Sequence, residues 1–259
     1  MPGIIAGRRG AGAMSGRRLP LWAGWLLALL VAVLCASLGV WQLHRMQAKQ
    51  AQLDAAARVL DERKAQPLDS ATDPARVRAY DWAGGTGHFL PLPAVLLDNQ
   101  NRAGRAGVRA YRVFQPDAVQ SDAAAVQPLL VDLGWLPLPG DRHLPTVPMP
   151  ADTRVSGLLS APPSPGLVAP VVEPQADGTL LVVALAPDAV AGALHLPALA
   201  PRVLRLDPDL PLGYVRDLEV LANTLPPERH LGYAVQWFAL SAAVLVIALL
   251  LTLRARRRR

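Results

Sequence analysis

The stretch Leu231–Leu253, LGYAVQWFALSAAVLVIALLLTL, runs for 23 residues without a charge and follows directly on His230. Wound as a helix it reaches roughly 35 Å, enough to cross a bilayer, so residues 230–253 read as a transmembrane helix. Hydrocarbon has no use for an imidazole or a carboxamide, and such groups inside a span mark function. His230 and Gln236 therefore point to a flat, half-polar ligand held where water meets lipid.

A matching span lies upstream. Leu21–Val40 is twenty residues without a charge, preceded by Arg17 and Arg18 and closed by Trp41, Gln42, His44 and Arg45. The apolar run is longer than a signal-peptide core and no small-residue cleavage site follows it, so residues 20–41 read as a first transmembrane helix. Charge sets the orientation. Nine arginines (Arg8, Arg9, Arg17, Arg18, Arg254 and Arg256 to Arg259) lie outside the spans with no acid among them, whereas the region between is net −3. Short basic flanks stay cytoplasmic while long loops translocate. Residues 1–19 and 254–259 are thus expected on the cytoplasmic side, against anionic lipid, and residues 42–229 on the outer side. The formal charge of +6 belongs to the flanks, which argues against a basic nucleic-acid-binding face.

The region between the spans is long enough for one domain with its own core. Residues 45–66 place Met46, Leu53, Ala57 and Leu60 at helical spacing and predict an amphipathic helix leading out of the first span. Beyond Pro67, short runs rich in Val, Leu and Tyr are punctuated by Pro and Gly, and predict strands at Ala94–Asp98, Val108–Phe114, Leu129–Trp135, Arg154–Leu159, Leu180–Ala184 and Val203–Leu206. Ala161 to Pro174 reads as a Pro-rich loop, Pro187 to Leu194 as a short helix, and Gly84-Gly85-Thr86-Gly87 as a turn. The predicted fold is a membrane protein in which two transmembrane α-helices flank one extracytoplasmic, β-rich α+β domain with a mainly antiparallel sheet.

Catalytic and metal signatures are sparse. The chain lacks H-E-x-x-H, G-x-S-x-G, P-loop and C-x-x-C motifs. Its one cysteine, Cys35, falls inside the first span and reads as packing, and Met149 is the one methionine beyond the helix, so a soft-metal copper site has no ligands. His88, His143 and His195 are scattered without ligand spacing. A non-enzyme is the reading.

Projected at 100° per residue from His230, the residues Tyr233, Gln236, Trp237, Leu240 and Ser241 fall within an arc of roughly 140°. The outer end of that face is polar and aromatic. An aromatic belt with a solvated histidine has the same composition. Trp41, Gln42 and Arg45 end the first span in similar fashion, and side-by-side packing of the spans would bring the two sets together.

These residues resemble a known family. His230-Leu-Gly-Tyr-Ala-Val-Gln-Trp-Phe238, and Leu38-Gly39-Val40-Trp41-Gln42-Leu43 followed by Arg45 and Lys49, are similar to the signatures of the Surfeit locus protein 1 family, bacterial type. Leu97-Asp98-Asn99, Gly104 to Gly107, Tyr111 to Pro116 and Gly134-Trp135-Leu136-Pro137 agree in the same order. The family usually carries arginine where this chain has Leu133, and often an aromatic residue where it has Ala48. The resemblance implies an assembly factor for haem-copper cytochrome c oxidase, without catalysis of its own. It implies that haem a is held at the outer membrane edge, with His230 as iron ligand, and placed into subunit I, with haem a synthase as a further partner. Trp41, Tyr233 and Trp237 would supply stacking surface, and Gln42, Gln236 and Arg45 would meet polar substituents or propionates. A cofactor-free membrane scaffold that holds an assembly intermediate is the alternative.

Overall fold

The computed structural model describes residues 20–118, 126–163, 169–220 and 224–258. The basic residues 1–19, Arg259 and residues 164–168 of the Pro-rich segment lie outside the described residues. The chain divides into two compact units, residues 1–49 with 225–259, and residues 50–224.

The first unit is a pair of helices. Helix α1 (Leu21–Glu62) has 42 residues and helix α3 (Pro227–Arg257) has 31, and both are long and apolar enough to cross a membrane, with a mean hydropathy of 2.4 over the most apolar stretch of each. Pro226 and Pro227 open α3 where a missing N–H costs nothing, Glu228 sits in its first turn, and Arg254, Arg256 and Arg257 face the negative end of its dipole. On α1 a continuous row of buried and half-buried positions runs through 25, 28, 32, 35, 39, 42, 46 and 49, and on α3 through 227, 230, 234, 237, 241, 244 and 248. Both rows alternate steps of three and four, the spacing of a left-handed helix pair. The helices run antiparallel: Trp25 Nε1 donates to Thr252 Oγ1 at 3.0 Å, Ser241 Oγ to the Ala32 carbonyl at 2.8 Å, and Lys49 Nζ to the Leu225 carbonyl. Small residues allow the close approach. At Gly39 an added Cβ would stand 2.8 Å from the Phe238 ring, and Cys35 is 8% exposed within the same row.

The second unit is built on one sheet. Its strands are β1 (Asp81–Phe89), β2 (Val95–Arg102), β3 (Arg105–Pro116), β4 (Leu129–Pro137), β5 (Arg154–Ser160), β6 (Val172–Pro174), β7 (Leu180–Val182) and β8 (Val203–Leu206), with helix α2 (Pro187–Ala193) between the last two. The order is β1-β5-β8-β4-β3-β2-β7-β6, and β1 also pairs with β3 through Gly87–Phe89, so five strands close on themselves. Closure covers the edge of β1 that would otherwise template aggregation. Among the described residues, β2–β7 and β4–β8 are parallel and the other strand pairs antiparallel. Alternation splits the core: Leu129, Val131 and Leu133 of β4 join Val108, Ala110 and Phe114 of β3 on one face, while Leu130, Tyr111 and Val113 join Val190 and Leu194 of the α2 region on the other.

All six predicted strands and the short helix are present, with ends shifted by a few residues. Four expectations are corrected. The helix predicted over 45–66 stops at Glu62, because Arg63 turns to φ 41° and the Gln66 N–H donates to the Trp82 carbonyl at 2.7 Å, exchanging helix for a bridge to β1. Gly84 to Gly87 is not a turn but the middle of β1. A Cβ at Gly87 would lie 2.2 Å from the Gln115 carbonyl oxygen, so glycine is required where β1 closes onto β3. The strand predicted to end at Trp135 runs on through Leu136 and Pro137. Val172–Pro174, inside the predicted Pro-rich loop, pairs with β7.

Candidate functional site

His230 occupies the first turn of α3, on the row that faces α1, and is 7% exposed. Its ring is held from one side: Nδ1 lies 2.8 Å from Oε1 of Gln42, which projects from the facing row of α1. The other ring nitrogen, Nε2, is buried and has no hydrogen-bond partner among the described residues. Burying a polar atom without a partner costs about 1–3 kcal/mol, so a site that keeps one is a place to look for a ligand. Lys49 lies seven residues after Gln42 on the same row, and its charge and that of Arg45 act on the imidazole.

The seven residues singled out from the sequence separate into two groups. Gln42, His230 and Trp237 lie in the row between the helices, buried or half-buried, and Gln42 and His230 touch. Trp41 (53% exposed), Tyr233 (38% exposed), Gln236 and Arg45 lie outside that row and are exposed. The arc projected from sequence and the observed contact face therefore share His230, Trp237 and Ser241 but differ at Ala234, which is 1% exposed in the place the projection gave to Tyr233. Lys49 is the residue the sequence reading left out of the site. The signal was there, since seven residues from Gln42 return to the same helix face.

Imidazole ligates haem iron, and the donor set fits that group. One ring nitrogen is engaged by Gln42, the other is buried without a partner among the described residues, and the charges of Lys49 and Arg45 act on the ring. His88, His143 and His195 are exposed, and no group of three or more His, Cys, Asp or Glu positioned for a metal ion occurs among the described residues.

The second unit carries a different constellation. Trp135 Nε1 donates to the Gln100 carbonyl at 3.0 Å, the Trp135 N–H donates to the Val215 carbonyl at 2.8 Å, and its ring covers Gly107, where a Cβ would fall 2.4 Å from it. Beneath lies a polar network. Asp132 accepts from Arg109 at 2.8 Å and from the Gly134 N–H at 2.9 Å, while Arg205 donates to the Asp217 and Glu219 carbonyls at 3.0 Å each. Burial, aided by the Asp132 carboxylate, pushes the Tyr111 phenol well above its ordinary value. Burial works against ionisation of Asp217, but the hydrogen bonds from Arg102 and the Glu219 N–H, with the charges of Arg102 and Arg109, together hold the carboxyl below its usual range. Leu133, at the position where the family usually has arginine, is 1% exposed in the core. This network ties the blocks around Asp98, Gly107 and Trp135 into one corner of the sheet.

Two long apolar helices flank a β-rich domain in sequence, and a buried histidine lies between the helices. The model of the SURF1 family matches residues 29–242, most of the chain, and the chain belongs to that family. The SURF1 family is associated with cytochrome c oxidase assembly. Comparison with curated proteins finds no match.

Proposed function

We propose that this chain is an inner-membrane assembly factor for haem-copper cytochrome c oxidase that holds haem a at the outer membrane edge and passes it to subunit I. α1 and α3 span the bilayer, the basic flanks lie in the cytoplasm, and the β-rich domain faces the periplasm, in keeping with the distribution of arginine. Subunit I is the receiving partner and haem a synthase the supplying one.

The observation that carries this reading is the His230 Nε2 atom, buried and without a partner between two membrane-length helices. Bound haem a would supply an iron centre that an imidazole can ligate. Toward it the chain's own residues have separate tasks: His230 offers its Nε2 lone pair, Arg45 and Lys49 meet carboxylates, and Trp41, Tyr233 and Trp237 offer aromatic faces. Gln236 adds a polar contact at the same level. The protein binds, orients and releases, and catalyses no bond change.

The test is the visible spectrum of the full chain purified from cells that make haem a, beside His230→Ala. Near-stoichiometric haem in the parent, lost or spectrally altered in the variant, is expected. Absence of haem from both, with circular dichroism unchanged, would overturn the carrier reading and leave a cofactor-free scaffold for an assembly intermediate.

A further inference from the structure

We infer that Gln42 is a positioning residue that holds the His230 imidazole in its Nδ1–H tautomer, leaving Nε2 as a bare lone pair directed away from the Gln42 contact. The distance of 2.8 Å between Nδ1 and Oε1 is a full hydrogen bond, and with oxygen as the partner the ring nitrogen is the donor. A neutral imidazole carries one N–H, so a proton on Nδ1 leaves none on Nε2. Nε2 is the atom left without a partner. The two facts are one arrangement: the contact that uses Nδ1 also readies the opposite nitrogen for a Lewis acid, the logic by which partners of ligating histidines fix ring tautomer and orientation.

The identity of the partner adds a second consequence. A carboxylate at position 42 would draw the Nδ1 proton and make the ring a stronger electron donor. The Gln42 carboxamide orients the ring without adding charge, so His230 remains an ordinary neutral donor. That suits a site whose cargo must leave again. Gln42 is itself fixed by its place on the row that α1 presents to α3, three residues after Gly39 and seven before Lys49, whose ammonium is tied to the Leu225 carbonyl just before α3 begins. Orientation of the ring thus depends on the pairing of the two helices.

For the protein without haem this assignment stands on geometry alone; its consequence for haem rests on the carrier reading above. The experiment therefore has two arms. In the first, the full chain labelled with 15N-histidine is placed in detergent micelles and the His230 ring nitrogens are assigned by their loss in His230→Ala. Long-range proton–nitrogen correlation should show Nδ1 protonated and Nε2 unprotonated in the parent, with that preference lost in Gln42→Leu, whose circular dichroism matches the parent. In the second, ferric haem a is titrated into each protein. Gln42→Leu should bind about 10–100-fold more weakly, and Gln42→Glu should bind at least as tightly as the parent with a lower midpoint potential. A proton on Nε2 in the parent would overturn the inference, as would a tautomer and haem affinity unchanged in Gln42→Leu. The tautomer and its loss in Gln42→Leu, found in a parent that binds no haem, would support the positioning role while overturning the carrier reading.

Discussion

Arg202 is fully buried, and it forms an ion pair with Asp81, whose Oδ2 lies 2.8 Å from the guanidinium. The other partners are carbonyls: Ala79 at 2.9 Å, Leu159 at 3.1 Å and Ser70 at 3.4 Å. Together they fasten the segment before β1 to β5. Replacing Asp81 by Asn keeps the shape and leaves the buried cation without its ion-pair partner. Removing one partner of such a pair costs about 3–5 kcal/mol. The second partner of Asp81, Arg76, is 48% exposed and loses little, about 0–1 kcal/mol. For a domain of 150–250 residues each kcal/mol moves the midpoint by about 2–4 °C, so Asp81→Asn should unfold about 6–20 °C below the parent. Thermal unfolding of the full chain in micelles, followed by tryptophan fluorescence, reads this directly, since Trp82 is adjacent and 6% exposed. Adding Arg202→Met removes the orphaned charge and should restore much of the loss, because neutral replacement of a buried pair is often tolerated. A single variant within about 2 °C of the parent, or a double variant no better than the single, would refute the account.

The same carboxylates predict acid behaviour. Burial opposes ionisation of Asp81, but hydrogen bonds from Arg76 and Arg202 and their charges hold its folded pKa below the ordinary value, as Arg102 does for Asp217. Their contribution is complete above the unfolded carboxylate pKa of about 3.9 and is lost as pH falls from there through the folded values; the midpoint should hold from neutral pH to about pH 5 and then drop, less steeply in Asp81→Asn. In the helix pair, Gly39→Leu drives a side chain into the Phe238 ring and should loosen the contact that shields Cys35, so that maleimide labels this single cysteine faster in micelles than in the parent. Equal labelling rates would mean that the half-exposed Phe238 simply turns aside.

Part of this was legible from composition and pattern, and the failures have identifiable causes. β1 was missed because Gly84, Gly85 and Gly87 have no β-propensity of their own. Glycine there answers to the backbone of Gln115, which lies 28 residues downstream of Gly87, and to the side chain of Leu68 beneath Gly85. β6 was missed because three residues ending in proline acquire strand geometry only from β7 beside them. The helix end at Glu62 was placed four residues late, since Gln66 remains compatible with a helix until Trp82 and Gly84 claim its backbone groups.

What the sequence determined by itself follows from local physics: two uncharged stretches long enough to be membrane-length helices, their arginine flanks, the Val- and Leu-rich strands between Pro and Gly, and the choice of His230 as the residue out of place. Each depends on the residues within one helix or strand, so the chain displays it without its partners. Which face of α3 turns inward was not local. Period and hydropathy allowed an arc containing Tyr233 and Gln236, whereas the row that α1 offers, with Gly39 receiving Phe238 and Gln42 receiving His230, selected His230, Ala234, Trp237 and Ser241. A hydrogen bond between residues 188 positions apart, and the bare nitrogen it leaves behind, exist only once two helices have paired, because close packing of one surface against another decides which polar atoms meet and which are left over.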